Sequence, residues 1–513
     1  MWPILLLIIL ALLGVLSIAR RSSIWTVFRK DDIQRFGSVV GMFRNSDRLF
    51  RISYGPVKLL GTCHPDVIQQ ILTNPGCVER PFFYRFTGLE QGLLSARRER
   101  WKIQRRALNP TFNLKILNSF IPIFETCSRK MVEELKGMES GSTVNILHHV
   151  SKCTLEMVFG TTIGMDVLQR DDTDEVLGYI ERLFNLVSRR MLSAHLYFDW
   201  IYRFTKDYRE DQRLRKICME KANEDINGNL ETNAEDHYNK PEIFIVKLLS
   251  ETFDGKTFSD EEIFHNAYTI IVAGNDTSAL TVASCCLFLA MYPTIQDKVH
   301  SEIAQIFPSK HSPINPDDLK QLVYLEMVIK ETLRLCPVAP NIAREALQDV
   351  LVDGTVVPKG TIMLMSFYAL HRRIDIWGDS AEEFDPENFD QDRAKSRHPF
   401  GYLPFSGGSR NCIGWRYAMM SVKIMLVHLV REFKLSTKLT RQDLRYRFDM
   451  TLKLAIEHLL GWQYAQISVK IALIRLVREF KLSTGLKRRD LRFKFDLTLK
   501  LAFEHLIQLD RRD

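Results

Sequence analysis

The chain has 513 residues, 46% of them apolar, which allows a large buried core in one big domain or two fused ones. Lys and Arg exceed Asp and Glu by only 70 to 62, and no basic block runs longer than a few residues. The surface is therefore mildly cationic, and nucleic acid is not implied. The nine cysteines are scattered without a C-x-x-C pair, which excludes a zinc site and a disulfide framework and points to a reducing compartment.

Trp2 to Ala19 carries no charge and is long enough to span a bilayer, and Arg20 and Arg21 follow at once. Residues 1–21 therefore read as a membrane anchor that leaves the rest of the chain in the cytosol; no A-x-A-like site supports the alternative, a cleaved signal. Phe50 to Leu60 predicts two short strands broken at Gly55-Pro56. Helical periodicity runs through 112–135, 175–192, 260–292 and 319–335, while Val338 to Met365 is β-branched, broken by Pro and Gly, and strand-like. The chain is thus mainly α with a small β portion. The segment from Leu196 to Tyr208 is rich in aromatics, which either pack in the core, roof a pocket or touch a bilayer. Ser259 with Glu262 forms a capping-box pattern that opens a helix running to Tyr292, where Pro293 ends it. At about 1.5 Å per residue that helix is about 50 Å long and must cross the whole domain. At the end of the chain, Gly414 to Leu460 and Gly461 to Ile507 align without gaps at an offset of 47, identical at 33 positions. Two copies do not make a solenoid, so 461–513 reads as a tandem duplicate or a gene-model error behind a main body of 22–460.

Phe405 to Gly414 reads FSGGSRNCIG and places Cys412 in a Gly-rich loop ahead of an apolar helical stretch, Tyr417 to Val430. Helix N-terminal amides and the neighbouring Arg410 favour an ionised sulfur there, and Gly407, Gly408 and Gly414 let the backbone approach a flat ligand. A lone cysteine is more often a small buried hydrophobe, so the pattern around it has to decide.

That pattern, F-x-x-G-x-R-x-C-x-G, resembles the haem-ligand signature of the cytochrome P-450 superfamily at every fixed position. The resemblance implies a large helical domain with a long central helix over haem and a small β-rich subdomain. It also implies Cys412 as the axial thiolate on the iron of haem (iron protoporphyrin IX), Phe405 at the haem, and Arg410 on a propionate. Further matches stand in order. AGNDTS, Ala273 to Ser278, looks like the oxygen-activation motif, with Asp276 and Thr277 relaying protons. Gly274 weakens the helix there by about 1 kcal/mol, which makes sense if the backbone must stand close to dioxygen. Asn275-Asp276-Thr277 also fits a glycosylation sequon, an alternative disfavoured inside a cytosolic helix. Glu331 and Arg334 resemble the structural E-x-x-R pair, and Val338 to Arg344 the strand at the haem edge, with Arg344 a second propionate partner. Trp101 and Arg105 resemble W-x-x-x-R, which also contacts a propionate. FDPENF departs from the common P-E-R-F at Asn388, which puts three-way pairing with Glu331 and Arg334 in doubt.

The wording is most similar to the family-four branch, which includes fatty-acid omega-hydroxylases and many insect enzymes. Some members of that branch link haem through a glutamate ester, which Ala273 makes unexpected here. The implied function is insertion of one atom of O2 into a small apolar substrate of the fatty-acid, hormone, pheromone or xenobiotic class. Electrons would come from NADPH through a membrane-bound haemoprotein reductase, with cytochrome b5 a further partner, at the endoplasmic reticulum membrane. Lys102 and Arg106 are candidates for docking that reductase, or else a solvated face. The rival is a membrane haem protein without turnover, its pocket wall crowded by the duplicated tail.

Overall fold

The structure is a computed structural model and describes residues 32–46, 48–54, 57–138, 143–164, 172–233, 244, 252–253, 256–447, 451, 453–454 and 506–511. The anchor expected at 1–21 and most of the duplicate at 461–513 lie outside these residues. The longer helices are α1 (Asp32–Arg44), α2 (Pro65–Thr73), α3 (Arg98–Leu108), α4 (Ile121–Lys136), α5 (Ile146–Thr162) and α6 (Thr173–Met191). They continue with α7 (Lys206–Asn233), α8 (Asp260–Met291), α9 (Pro293–Ile306), α10 (Val323–Leu335) and α11 (Trp415–Glu432).

The capping box of α8 forms as expected: the Glu262 N–H donates to Ser259 Oγ (3.3 Å), and the Ser259 N–H donates to Glu262 Oε2 (3.1 Å). The helix is long and apolar enough to cross a membrane, yet 67% of its most apolar stretch is buried by protein, so it is the core helix of the domain. Around it α4, α5, α10 and α11 supply most of one continuous apolar core. The closest partner is α5. A Cβ added at Gly274 would stand 2.9 Å from Val158 Cγ2, and Thr154 Oγ1 donates to Asn275 Oδ1 at 2.7 Å. The glycine thus has a packing reason, the crossing of two helices, beside the oxygen-side reason expected from the motif. Asn275 is 1% exposed, which rules out the sequon.

The expected helix over 112–135 divides into Leu114–Ser119 and α4. Asn113 caps the first piece by accepting the Ile116 N–H, and Pro122 sits in the first turn of the second, where it disfavours helical continuation from the residues before it.

The strands β1 (Phe50–Tyr54) and β2 (Val57–Thr62) pair antiparallel, as the Gly-Pro break suggested. With β4 (Asn341–Glu345) and β5 (Ile362–Ser366) they make a sheet of order β1-β2-β5-β4, in which β2 and β5 are parallel. A second sheet has the order β6-β7-β3, from β6 (Phe433–Ser436), β7 (Leu506–Arg511) and β3 (Thr143–Asn145). The middle strand therefore comes from the duplicated tail. It pairs antiparallel with both neighbours, Phe433 opposite Arg511 and Asn145 opposite Leu506.

Behind α10 lies a buried polar knot. Arg334 donates from Nε and Nη2 to the two carboxylate oxygens of Glu331, both at 2.7 Å, with both side chains fully buried. The remaining donors reach the carbonyls of His371 (2.9 Å), Glu383 (2.7 Å) and Ala381, so the charge is satisfied on every side. Asn388 contributes one neutral bond, Nδ2 to Glu331 Oε1 at 3.3 Å. A second cation arrives from elsewhere: Arg397 donates to the Asn388 carbonyl, stacks 4.1 Å from the Trp377 ring centre and feels the Glu331 charge. The knot thus survives the missing arginine by borrowing one nine residues downstream.

His371 and His428 are buried neutral, and desolvation beside arginines pushes each down to about 3 from an ordinary 6.5. His371 Nε2 accepts the Leu403 N–H at 2.9 Å. Between these two values the unfolded chain binds more protons than the folded one, so stability present above pH 6.5 is lost as pH falls toward 3. At pH 5.5 each histidine should cost about 1.4 kcal/mol relative to pH 7.5. Melting at the two pH values checks this, and His428→Gln should remove about half of the two-histidine drop.

Candidate active site

The Cys412 loop is shaped by backbone. The Cys412 N–H donates to the Phe405 carbonyl at 2.9 Å, Ser406 and Gly408 take positive φ (61° and 69°), and Gly414 caps α11. Gly408 is obligatory for a reason the sequence did not give: a Cβ there would lie 1.9 Å from the Leu72 carbonyl oxygen at the end of α2. Of the nine cysteines, eight are buried and Cys412 alone is exposed. The surface it exposes lies in the lining of a half-enclosed cavity of about 580 Å³. Burial raises the Cys412 thiol, opposed by the Gly414 N–H and by the charge of Arg105.

Arg105 therefore takes the place expected for Arg410 beside the sulfur. From α3 it donates through Nη1 and Nη2 to the carbonyl and side-chain oxygens of Asn411, each at 2.7 Å, strapping the loop to the helix. Arg410 turns away: Nη2 donates to the Ala96 carbonyl (2.6 Å) and the guanidinium lies 4.6 Å from the Trp101 ring centre.

Arg410 is 5% exposed and Arg344 only 2%, and the half-buried Arg80 joins them. Burial first, then mutual repulsion, depresses both; Arg410 falls to about 9. None of the three makes an ion pair among the described residues, and Arg344 Nη2, Arg410 Nε and Nη1 and Arg80 Nε have no hydrogen-bond partner. Arg80 was missed by the sequence reading; the aromatic-rich run ERPFFYRF is its only local signal, and Arg80 Nη1 donates to Tyr84 Oη at 3.0 Å.

Of the expected residues, Cys412, Arg410, Phe405, Trp101, Arg105 and Thr277 line the cavity together with Ala273 and Gly274. Asp276 and Arg344 are adjacent in sequence to lining residues, Thr277 and Ala343, without lining it themselves. Thr277 Oγ1 donates to the Ala273 carbonyl at 2.6 Å. Most of the remaining wall is apolar, including Phe120, Val158, Leu192, Ile342 and Leu364.

A family model described as Cytochrome P450 matches residues 23–457. Among curated proteins, "Probable cytochrome P450 313a4" of Drosophila melanogaster is 30% identical over 452 residues, covering 85% of this chain and 90% of that protein. "Cytochrome P450 4V2" of Mus musculus is 32% identical over 421 residues (79% and 80%), and its Homo sapiens counterpart 31% over 422 residues (79% and 80%). These names agree with the expected family-four-like branch. A match over most of the length, on a chain whose one exposed cysteine lines the cavity, makes this chain a member of the cytochrome P450 family of haem-dependent monooxygenases.

Proposed function

We propose that Cys412 would hold the iron of haem and that the enzyme inserts one atom of O2 into an apolar substrate of the fatty-acid, hormone, pheromone or xenobiotic class. The observation that carries this is the one cavity-lining cysteine, set in a largely apolar chamber. The cluster of Arg80, Arg344 and Arg410 fits the same group, since cations buried without ion pairs are stable only beside an anion, and haem brings two propionates. Arg344, Arg410 and Arg80 would hold those carboxylates with Trp101 against them, while Arg105 anchors the loop that carries the sulfur. Bound haem supplies oxygen activation and atom transfer.

The chain's own residues supply the rest. At Cys412, Arg105 and the Gly414 N–H would favour the thiolate against the burial that raises the thiol. Thr277 moves protons at Oγ1 into the cavity, with Asp276 behind it as the acid. The apolar wall orients substrate and excludes water. Lys102 and Arg106, both exposed on α3 one residue beyond Trp101 and Arg105, are the proposed contact for an acidic NADPH-dependent reductase, and cytochrome b5 would share it. Residues 1–21 would anchor the 22–460 body to the cytosolic face of the endoplasmic reticulum. The reading without turnover is not favoured, since the family model and the relatives' names are those of cytochromes P450.

Thr277→Ala tests the proton path. With reductase, NADPH and a medium-chain fatty acid, product per NADPH should fall about 10²-fold, the lower end for a lost proton-transfer group, while peroxide rises. Unchanged coupling would remove Thr277 from the mechanism.

A further inference from the structure

Arg105 is held differently from the other arginines at the cavity. Arg80, Arg344 and Arg410 have nitrogens without hydrogen-bond partners, whereas three of the five N–H groups of Arg105 are engaged. Nη1 and Nη2 donate to the carbonyl and Oδ1 of Asn411, each at 2.7 Å, and Nε donates to Asn109 Oδ1 at 2.8 Å. Asn109 stands one helical turn on, at the end of α3, where its own N–H donates to the Arg105 carbonyl. Two asparagines, one at the end of the helix and one in the cysteine loop, thus grip a single guanidinium. Both grips are neutral. An aspartate at either position would bind the guanidinium more strongly but would cancel its charge. Among the described residues Arg105 makes no ion pair with a carboxylate, so its charge stays available, and it lines the same cavity as Cys412. Burial lowers Arg105, and the charge that opposes this is that of the Cys412 sulfur.

We propose that Asn109 and Asn411 are positioning residues: they hold the Arg105 charge beside the Cys412 sulfur, and that charge sets how readily haem iron held there takes up an electron. The proposal rests on the haem reading above. The step concerned is the passage of one electron from the reductase to ferric haem, with no proton or ligand exchanged. A cation beside the sulfur favours the state with one positive charge fewer. The clamped Arg105 therefore raises the reduction potential, and cancelling or releasing its charge lowers it.

The test is the midpoint potential of the haem-loaded, substrate-free protein, followed by spectroelectrochemical titration. Asn411→Asp keeps the acceptor oxygen and adds one negative charge against the guanidinium. It should shift the reduction equilibrium about tenfold toward ferric haem, about 59 mV more negative. Asn411→Ala removes the Oδ1 bond without adding charge and should shift it the same way, about threefold. Asn109→Asp, outside the cavity lining, should also lower the potential about threefold, and in the Arg105→Gln background it should add little. Haem content, melting temperature and the far-red carbon monoxide band should stay close to wild type in all three single variants. If Asn411→Asp takes up no haem, Asn109→Asp decides. An unchanged potential at full haem content would overturn the clamp and leave the haem reading intact. Lower haem content and melting temperature with an unmoved potential would make the asparagines purely structural and also overturn it. So would an Asn109→Asp shift that is as large without Arg105 as with it. Wild-type protein that takes up no haem would strike the haem reading itself, and the clamp's role with it.

Discussion

Cys412→His leaves the loop folded but abolishes oxidation, lowering turnover by at least about 10³-fold, equal to about 4 kcal/mol of barrier. The loop tolerates the change because its shape depends on the Cys412 N–H, Ser406, Gly408 and the Asn411–Arg105 strap, none of which involves the sulfur. The chemistry would not tolerate it, since a neutral imidazole cannot supply the electron density that a thiolate would give to haem iron. In the reduced, carbon-monoxide-bound protein, the Soret band should leave its far-red thiolate position for that of a neutral ligand. A thiolate-type band persisting in the variant would mean that another sulfur holds the iron. The structure gives that outcome no candidate, because the other eight cysteines are buried away from the cavity lining.

Removing 461–513 should be nearly as damaging, with haem content down at least about 10-fold, whereas removing 459–505 should cost little. The first deletion takes away β7, the middle strand of its sheet, and uncovers the buried Val144, Phe433 and Leu435 on its two neighbours. The second removes one full period of the repeat and joins His458 to Leu506. TLKLAFEH leads into β7 in the second copy, and the first copy ends in TLKLAIEH, so the shortened chain regains the same approach to the same strand. We therefore propose that the duplicate contributes β7 and that the remaining period is spare. Full haem content in the first deletion, or its loss in the second, would each refute one half of that proposal.

The cysteine loop, the central helix and the first hairpin were legible because each is a local pattern: a spaced motif, a capping box with helical periodicity, and two β-rich runs at a Gly-Pro pair. The residues that eluded the sequence owe their roles to distant partners. Arg80 gains its role only when β4 and the Cys412 loop bring two more guanidiniums beside it. Arg410, next but one to Cys412 in sequence, points at Trp101, while Arg105, some three hundred residues away, reaches the loop. Gly274 and Gly408 read as ligand-side glycines, and each also has a protein neighbour that the motif does not show, Val158 and the Leu72 carbonyl. The doubt over Asn388 was justified for that position but not for the knot, since Arg397 compensates through a contact that no spacing rule encodes.

The placement of β7 also dictates an order of events during synthesis. β3 and β6 share no direct pairing, and each waits for a strand that begins 70 residues after Ser436. At about 5–20 residues per second, the ribosome leaves β6 with an open edge for roughly 4–14 s, and β3, made much earlier, for longer. Such edges are templates for pairing with other chains. Slower elongation between Ser436 and Leu506 should therefore lower the soluble yield of this protein, and co-expressed holdase chaperones should recover it.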